Sequence, residues 1–141
     1  MDPVVLFIDD EPARMSPFAT VLKNAGHKVI MATSAVEAVA LAQDHRGKIR
    51  LLIVDLMLPT GTDEALDLDP RRAGLWALGE IRAIPELAKV PAVVLSAVSE
   101  TRVTIENLGI AAYLPKPMSL ARFVDAVNKA LAASDKGGAG Q

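Results

Sequence analysis

Val4-Val5-Leu6-Phe7-Ile8-Asp9-Asp10-Glu11-Pro12 is the stretch that decides the fold. Five apolar residues in a row, with no polar residue alternating among them, read as a strand buried on both faces. Such strands belong to parallel sheets covered by helices. Two carboxylates follow at once. A second apolar run, Leu51-Leu52-Ile53-Val54, ends on Asp55, and Lys116 follows a third, Ala111-Ala112-Tyr113-Leu114. In an open parallel sheet the carboxyl ends of the strands lie along one edge, where ligands bind. Residues far apart in sequence then share one small pocket. Three carboxylates and an ammonium on that edge point to a divalent metal ion and a transferred phosphoryl group.

Composition narrows the class. The 141 residues read as one domain, long enough to close a core without staples. Hydrophobic residues make up 51% but aromatics only 4%, so the core is built of Val, Leu, Ile and Ala. A net charge of −2 gives no electrostatic footprint for nucleic acid. No apolar stretch approaches the roughly 18 residues of a membrane span. Asp2-Pro3 straight before a strand does not look like a signal peptide. The absence of cysteine excludes disulfides, thiolate catalysis and Cys-based metal sites, and is compatible with the cytoplasm.

Strand and helix signals alternate five times. Val4–Ile8, Lys28–Ala32, Leu51–Val54, Ala92–Leu95 and Ala112–Leu114 read as strands. Ala13–Ala25 reads as a helix, with Gly26 past its end and Pro17 able to push its start later. Ser34 caps a helix running to about Asp44, and Glu37 completes a capping box. Leu75–Ala83 has a short helical period, and Thr101–Leu108 a weaker one closed by Gly109. Ser119 caps a final helix whose one face carries Leu120, Phe123, Val124, Val127 and Leu131. The polar, Gly-rich end, residues 134–141, reads as a flexible tail. Five strands alternating with five helices predict a doubly wound α/β fold with strand order 2-1-3-4-5. The ligand crevice then lies outside strands one and three, where Asp9, Asp10 and Asp55 fall.

Magnesium takes one or two carboxylates together with waters and phosphate oxygens. Asp10 and Asp55 can ligate directly and Asp9 through a water. Without a cation the three acids would repel one another. A carboxylate beside a metal can attack phosphorus, and the charge that develops on the phosphoryl oxygens needs fixed cations and donors. Lys116 and the Ser96 hydroxyl, after Val93-Val94-Leu95, are the side chains placed to supply them.

The chain resembles the receiver domain of two-component response regulators, a flavodoxin-like fold, from about Val4 to Ala133. The likeness is carried by Ile8-Asp9-Asp10-Glu11-Pro12, Val54-Asp55-Leu56-Met57-Leu58-Pro59, Leu95-Ser96-Ala97 and Tyr113-Leu114-Pro115-Lys116-Pro117. It implies that Asp55 is the phosphoacceptor. Asp9, Asp10 and Asp55 would bind Mg2+ with the backbone carbonyl of Met57. Ser96 would hydrogen-bond the phosphoryl group, and Lys116 would contact Asp55 or its phosphate. Tyr113 would be an aromatic switch, and Lys116–Pro117 a cis peptide. The donor would be a histidine kinase or a histidine phosphotransfer protein. The output, through Thr101–Leu108, the fifth strand and the final helix, would be a downstream protein target. Transient homodimers through that face are compatible with the pattern, and the setting would be cytoplasmic.

Two features depart from that pattern. Residues 60–73 read as an insertion of roughly ten residues, since connections in such folds run about 2–6. It is either a lid or partner-docking element, or a tolerated surface insertion. Met57 and Val98 are apolar where polar groups in the family orient the hydrolytic water, which implies a long-lived aspartyl phosphate. The sequence ends soon after the last helix, so a stand-alone regulator, a phosphorelay shuttle and a receiver cut from a larger protein are all expected options. The leading reading is a signalling switch, at most catalysing its own phosphorylation and dephosphorylation. The alternatives are a Mg-dependent phosphohydrolase with an Asp nucleophile, against which the adjacent first-strand acids weigh, and a phosphate-independent receiver-like scaffold.

Overall fold

A computed structural model describes residues 3–56, 70–96, 110–116 and 118–139, with side chains at 70–72 and from 133 onward not described. Its five strands are β1 (Val4–Ile8), β2 (Lys28–Ala32), β3 (Ile49–Asp55), β4 (Ala92–Ser96) and β5 (Ala112–Pro115). They form one parallel sheet in the order β2-β1-β3-β4-β5. Four α-helices lie among the described residues: α1 (Ser16–Asn24), α2 (Ala35–Asp44), α3 (Pro70–Arg82) and the final α4 (Leu120–Ala139). The helix expected at Thr101–Leu108 lies outside the described residues, as do the Met57 carbonyl, Pro117 and most of the 60–73 insertion.

Side chains alternate along a strand, so β1 serves both faces of the sheet. Val4, Leu6 and Ile8 pack into a core with Ala35, Ala38 and Ala42 of α2 and Ala77, Leu78 and Ile81 of α3. Val5 and Phe7 pack on the other side with Leu22 of α1 and Phe123, Ala126, Val127 and Ala130 of α4. Phe123 stacks on Phe7, with centroids 6.0 Å apart, and meets Phe18 edge-on at 5.0 Å. With so few aromatics in the chain, this trio anchors α1 and α4 to the strand that carries Asp9.

Several boundaries differ from the sequence reading. β3 starts at Ile49, because Val4 pairs with Ile49 while Val5 pairs with Leu51. The exposed Arg50 is the extra residue of a bulge, so Ile49 and Leu52 fall in the same core despite their spacing. α1 starts at Ser16, with Pro17 in its first turn where a missing N–H is harmless. It ends in a Schellman motif: His27 N–H donates to the Leu22 carbonyl and Gly26 N–H to that of Lys23, with Gly26 at φ 97°. At α2 the Ser34 hydroxyl accepts from Glu37 N–H as expected, but the Glu37 carboxylate reaches Thr33 N–H, at 2.6 Å, rather than Ser34. α3 begins at Pro70, one turn before the expected start, so residues 70–73 belong to the helix and not to the inserted loop. Ser119 does cap α4, its hydroxyl accepting from Arg122 N–H, but the helical backbone runs on to Ala139, past the expected start of the tail. A short 3-10 turn at Pro85–Leu87 was not anticipated.

Candidate functional site

The same alternation that builds the second core aims three charges at one point. Asp9 continues the series Val5, Phe7; Asp55 continues Leu51, Ile53; Lys116 continues Ala112, Leu114. Strand pairing sets their heights. Asp9 N–H still donates to Ala32 at the end of β1, and Lys116 N–H donates to the Ser96 carbonyl at the end of β4. The result is one ammonium between two buried carboxylates. Lys116 Nζ lies 2.9 Å from Asp9 Oδ2 and 2.9 Å from Asp55 Oδ2. Asp9 is fully buried and Asp55 is 5% exposed.

Buried charges need partners. Asp9 Oδ1 accepts from Glu11 N–H at 2.8 Å, a local turn that fixes the carboxylate direction. Burial alone pulls the Lys116 ammonium down. Its hydrogen bonds to Asp9 and Asp55 and their negative charges outweigh that, and the net position is above the ordinary lysine value.

Asp10 sits exposed at the mouth, and one carboxylate oxygen from each of Asp9, Asp10 and Asp55 lies within 4.8 Å of the others. Three carboxylates against one ammonium leave a formal −2. Octahedral magnesium with oxygens at about 2.1 Å spaces its ligands about 3–4 Å apart, within reach of small side-chain adjustments here. The donor set is all oxygen, as a hard cation requires. The residues therefore fit magnesium.

Of the other expected site residues, Ser96 closes β4 on the same edge and is 1% exposed. Tyr113 is half-buried on β5, packed against the α2/α3 side of the sheet. One participant escaped the sequence reading. Gly74 of α3 is buried against the backbone of Asp55 and Leu56, and its N–H donates to the Leu56 carbonyl at 3.2 Å. A glycine inside a helical run is a signal of close backbone approach.

A doubly wound sheet binds its ligands at the topological switch point, and here the acidic cluster and the lysine lie there. The chain belongs to the response regulator receiver domain family, whose model matches residues 5–128. The polar-differentiation response regulator DivK of Brucella anthropi is 26% identical over 131 residues, 90% of this chain and 94% of that protein. DivK of Brucella melitensis matches to the same extent. Among solved structures, chemotaxis protein CheY4 of Vibrio cholerae superposes with a TM-score of 0.75 at 21% identity, over 93% of this chain and 100% of that one. The receiver domain of a Pseudomonas aeruginosa sensor histidine kinase has a TM-score of 0.72 at 24% identity, over 94% and 99% of the two chains. That structure has a magnesium ion coordinated in its active-site cleft. These two likenesses show the fold.

Proposed function

We propose that Asp55 accepts a phosphoryl group from a phosphohistidine of a partner kinase or phosphotransfer protein, and that the product switches a partner-binding surface. The observation that carries this is the Lys116 bridge, which ties Asp55 to Asp9 across a sheet edge where Asp10 completes an acid cluster. An Asp55 carboxylate oxygen attacks phosphorus, a P–O bond forms, and the P–N bond to the donor imidazole breaks. The donor leaves as neutral histidine after taking up one proton. Positioning and charge stabilisation do most of the work in such transfers.

Asp10 and Asp55 would hold Mg2+ directly, with the Met57 carbonyl as a further ligand. Asp9, with both oxygens already engaged by Lys116 and Glu11, would act through a water. Bound there, Mg2+ would neutralise charge on the phosphoryl oxygens. Lys116 offers a fixed ammonium to the same charge. Ser96 would then turn its hydroxyl to the new phosphoryl group, and Tyr113 would repack with it. A phosphoryl group adds charge and strong acceptors, and the two-state element it biases is the switch. Support for magnesium comes from the fit of the acids and from the ion in the Pseudomonas neighbour.

Among the described residues no helix is long and apolar enough to cross a membrane. Membership of the receiver family supports a reading in which histidine kinases and downstream effectors are the partners and the setting is cytoplasmic. The reading is tested by incubating the protein with Mg2+ and acetyl phosphate. An acid-stable, base-labile label should appear, absent in Asp55→Asn and in chelator. Catalytic turnover of phosphate esters, with no label retained, would replace it with the phosphohydrolase reading.

A further inference from the structure

At Gly74, helix α3 meets the end of the acceptor strand backbone to backbone. A Cβ at Gly74 would lie 2.4 Å from the Asp55 carbonyl oxygen, 2.6 Å from Leu56 Cα and 2.7 Å from the Leu56 carbonyl oxygen. All three atoms are backbone, so none can swing aside. At Gly79, five residues along the same helix, a Cβ would meet nothing within 4 Å. The close approach therefore belongs to the part of α3 that touches the backbone of Asp55 and Leu56. Leu56, the residue after Asp55, is held at both of its backbone groups. Leu56 N–H donates to the Leu95 carbonyl of β4 at 3.0 Å, and the Leu56 carbonyl accepts from Gly74 N–H.

We propose that Gly74 is a positioning residue for Asp55: the bare backbone of α3, seated on the Asp55–Leu56 peptide, fixes the height and aim of the acceptor carboxylate against Asp9, Asp10 and Lys116. The role rests on the phosphoacceptor reading of Asp55. Ordinary contact for a Cβ begins at 3.4 Å, so a methyl group at 74 forces about 1 Å of movement on either α3 or that peptide. The Asp9 and Lys116 ends of the pocket are set by β1 and β5, so they do not follow. Misplacement on that scale is enough to cost on the order of a hundredfold in a reaction that depends on positioning. Helix propensity works in the opposite direction, since alanine is the better helix former at both glycines. A purely structural account therefore expects no special loss at 74 once the protein is folded.

The experiment compares wild type, Gly74→Ala and Gly79→Ala. Mg2+ affinity is measured by calorimetry with no phosphodonor present. The rate of Asp55 labelling is then followed against acetyl phosphate concentration, which separates half-saturation from maximal rate. Folded Gly74→Ala should bind Mg2+ at least tenfold more weakly and lose at least tenfold in maximal rate, while Gly79→Ala stays within twofold of wild type. A folded Gly74→Ala within twofold on both measures overturns the role. If that variant does not fold, the wild-type amide spectrum decides. The Gly74 resonance should shift on Mg2+ binding by more than that of Gly79, and an unmoved Gly74 amide overturns the proposal. Wild-type protein that binds Mg2+ but never takes label at Asp55 is a different result; it refutes the phosphoacceptor reading and, with it, this role.

Discussion

Replacing Lys116 with methionine keeps most of the side-chain volume and removes the ammonium that two buried acids share. Asp9 is fully buried and the Asp55 side chain is 7% exposed, so solvent does little to screen them. Breaking a buried pair by deleting one partner costs about 3–5 kcal/mol. The expected loss for Lys116→Met in chelator is thus about 3–5 kcal/mol at pH 7. Urea unfolding supplies the assay, and the single tryptophan, Trp76, half-buried against the α2/α3 core, reports it. The slope with urea should not change, because the same surface is exposed on unfolding. Millimolar Mg2+ should recover part of the loss, since a second cation enters the same acid cluster. A Lys116→Met protein within 1 kcal/mol of wild type at pH 7 without metal would show that the bridge carries no such burden.

Alkaline pH tests the same group in the unmodified chain. The Lys116 value is raised in the fold, so its contribution is fully present below the unfolded value of about 10.5 and is lost as pH rises through the folded one. Metal-free wild type should lose stability over that window more steeply than Lys116→Met, and equal slopes would count against the assignment. Phe123→Ala empties a fully buried site between Phe7 and Phe18 and should cost about 3–5 kcal/mol in denaturant unfolding, with a loss under 1 kcal/mol marking the aromatic trio as dispensable. The apolar Met57 and Val98 predict slow hydrolysis of the phosphorylated protein after donor is removed; loss within seconds in Mg2+ would contradict that.

The strand ends were legible because continuous apolar runs broken by carboxylates have few other readings. Asp9, Asp55 and Lys116 come together because each continues the alternation of its own strand, a pattern open to anyone counting by twos. Other features depend on contacts no local pattern records. The bulge at Arg50 shows only once β1 is laid beside β3. The early start of α3 was hidden by Asp69-Pro70-Arg71-Arg72, which reads as loop until proline is placed in a first helical turn. The turn after α3 is tied down by Arg82, whose guanidinium donates to the carbonyls of Leu87 and Val90, partners set by the return of the chain to the sheet. Gly74 fell between the expected insertion and the expected helix, and the atoms that forbid a side chain there lie on another element, so no local pattern marked it.

The most direct measurement is the site of covalent modification. Wild-type protein treated with Mg2+ and a small phosphodonor should carry a single phosphoryl group that peptide mapping locates on Asp55, and Lys116→Met should still bind Mg2+ yet be labelled more slowly. A label on another residue, or unimpaired labelling of Asp55→Asn, would contradict a pocket built by Asp9, Asp10 and Lys116 around one acceptor.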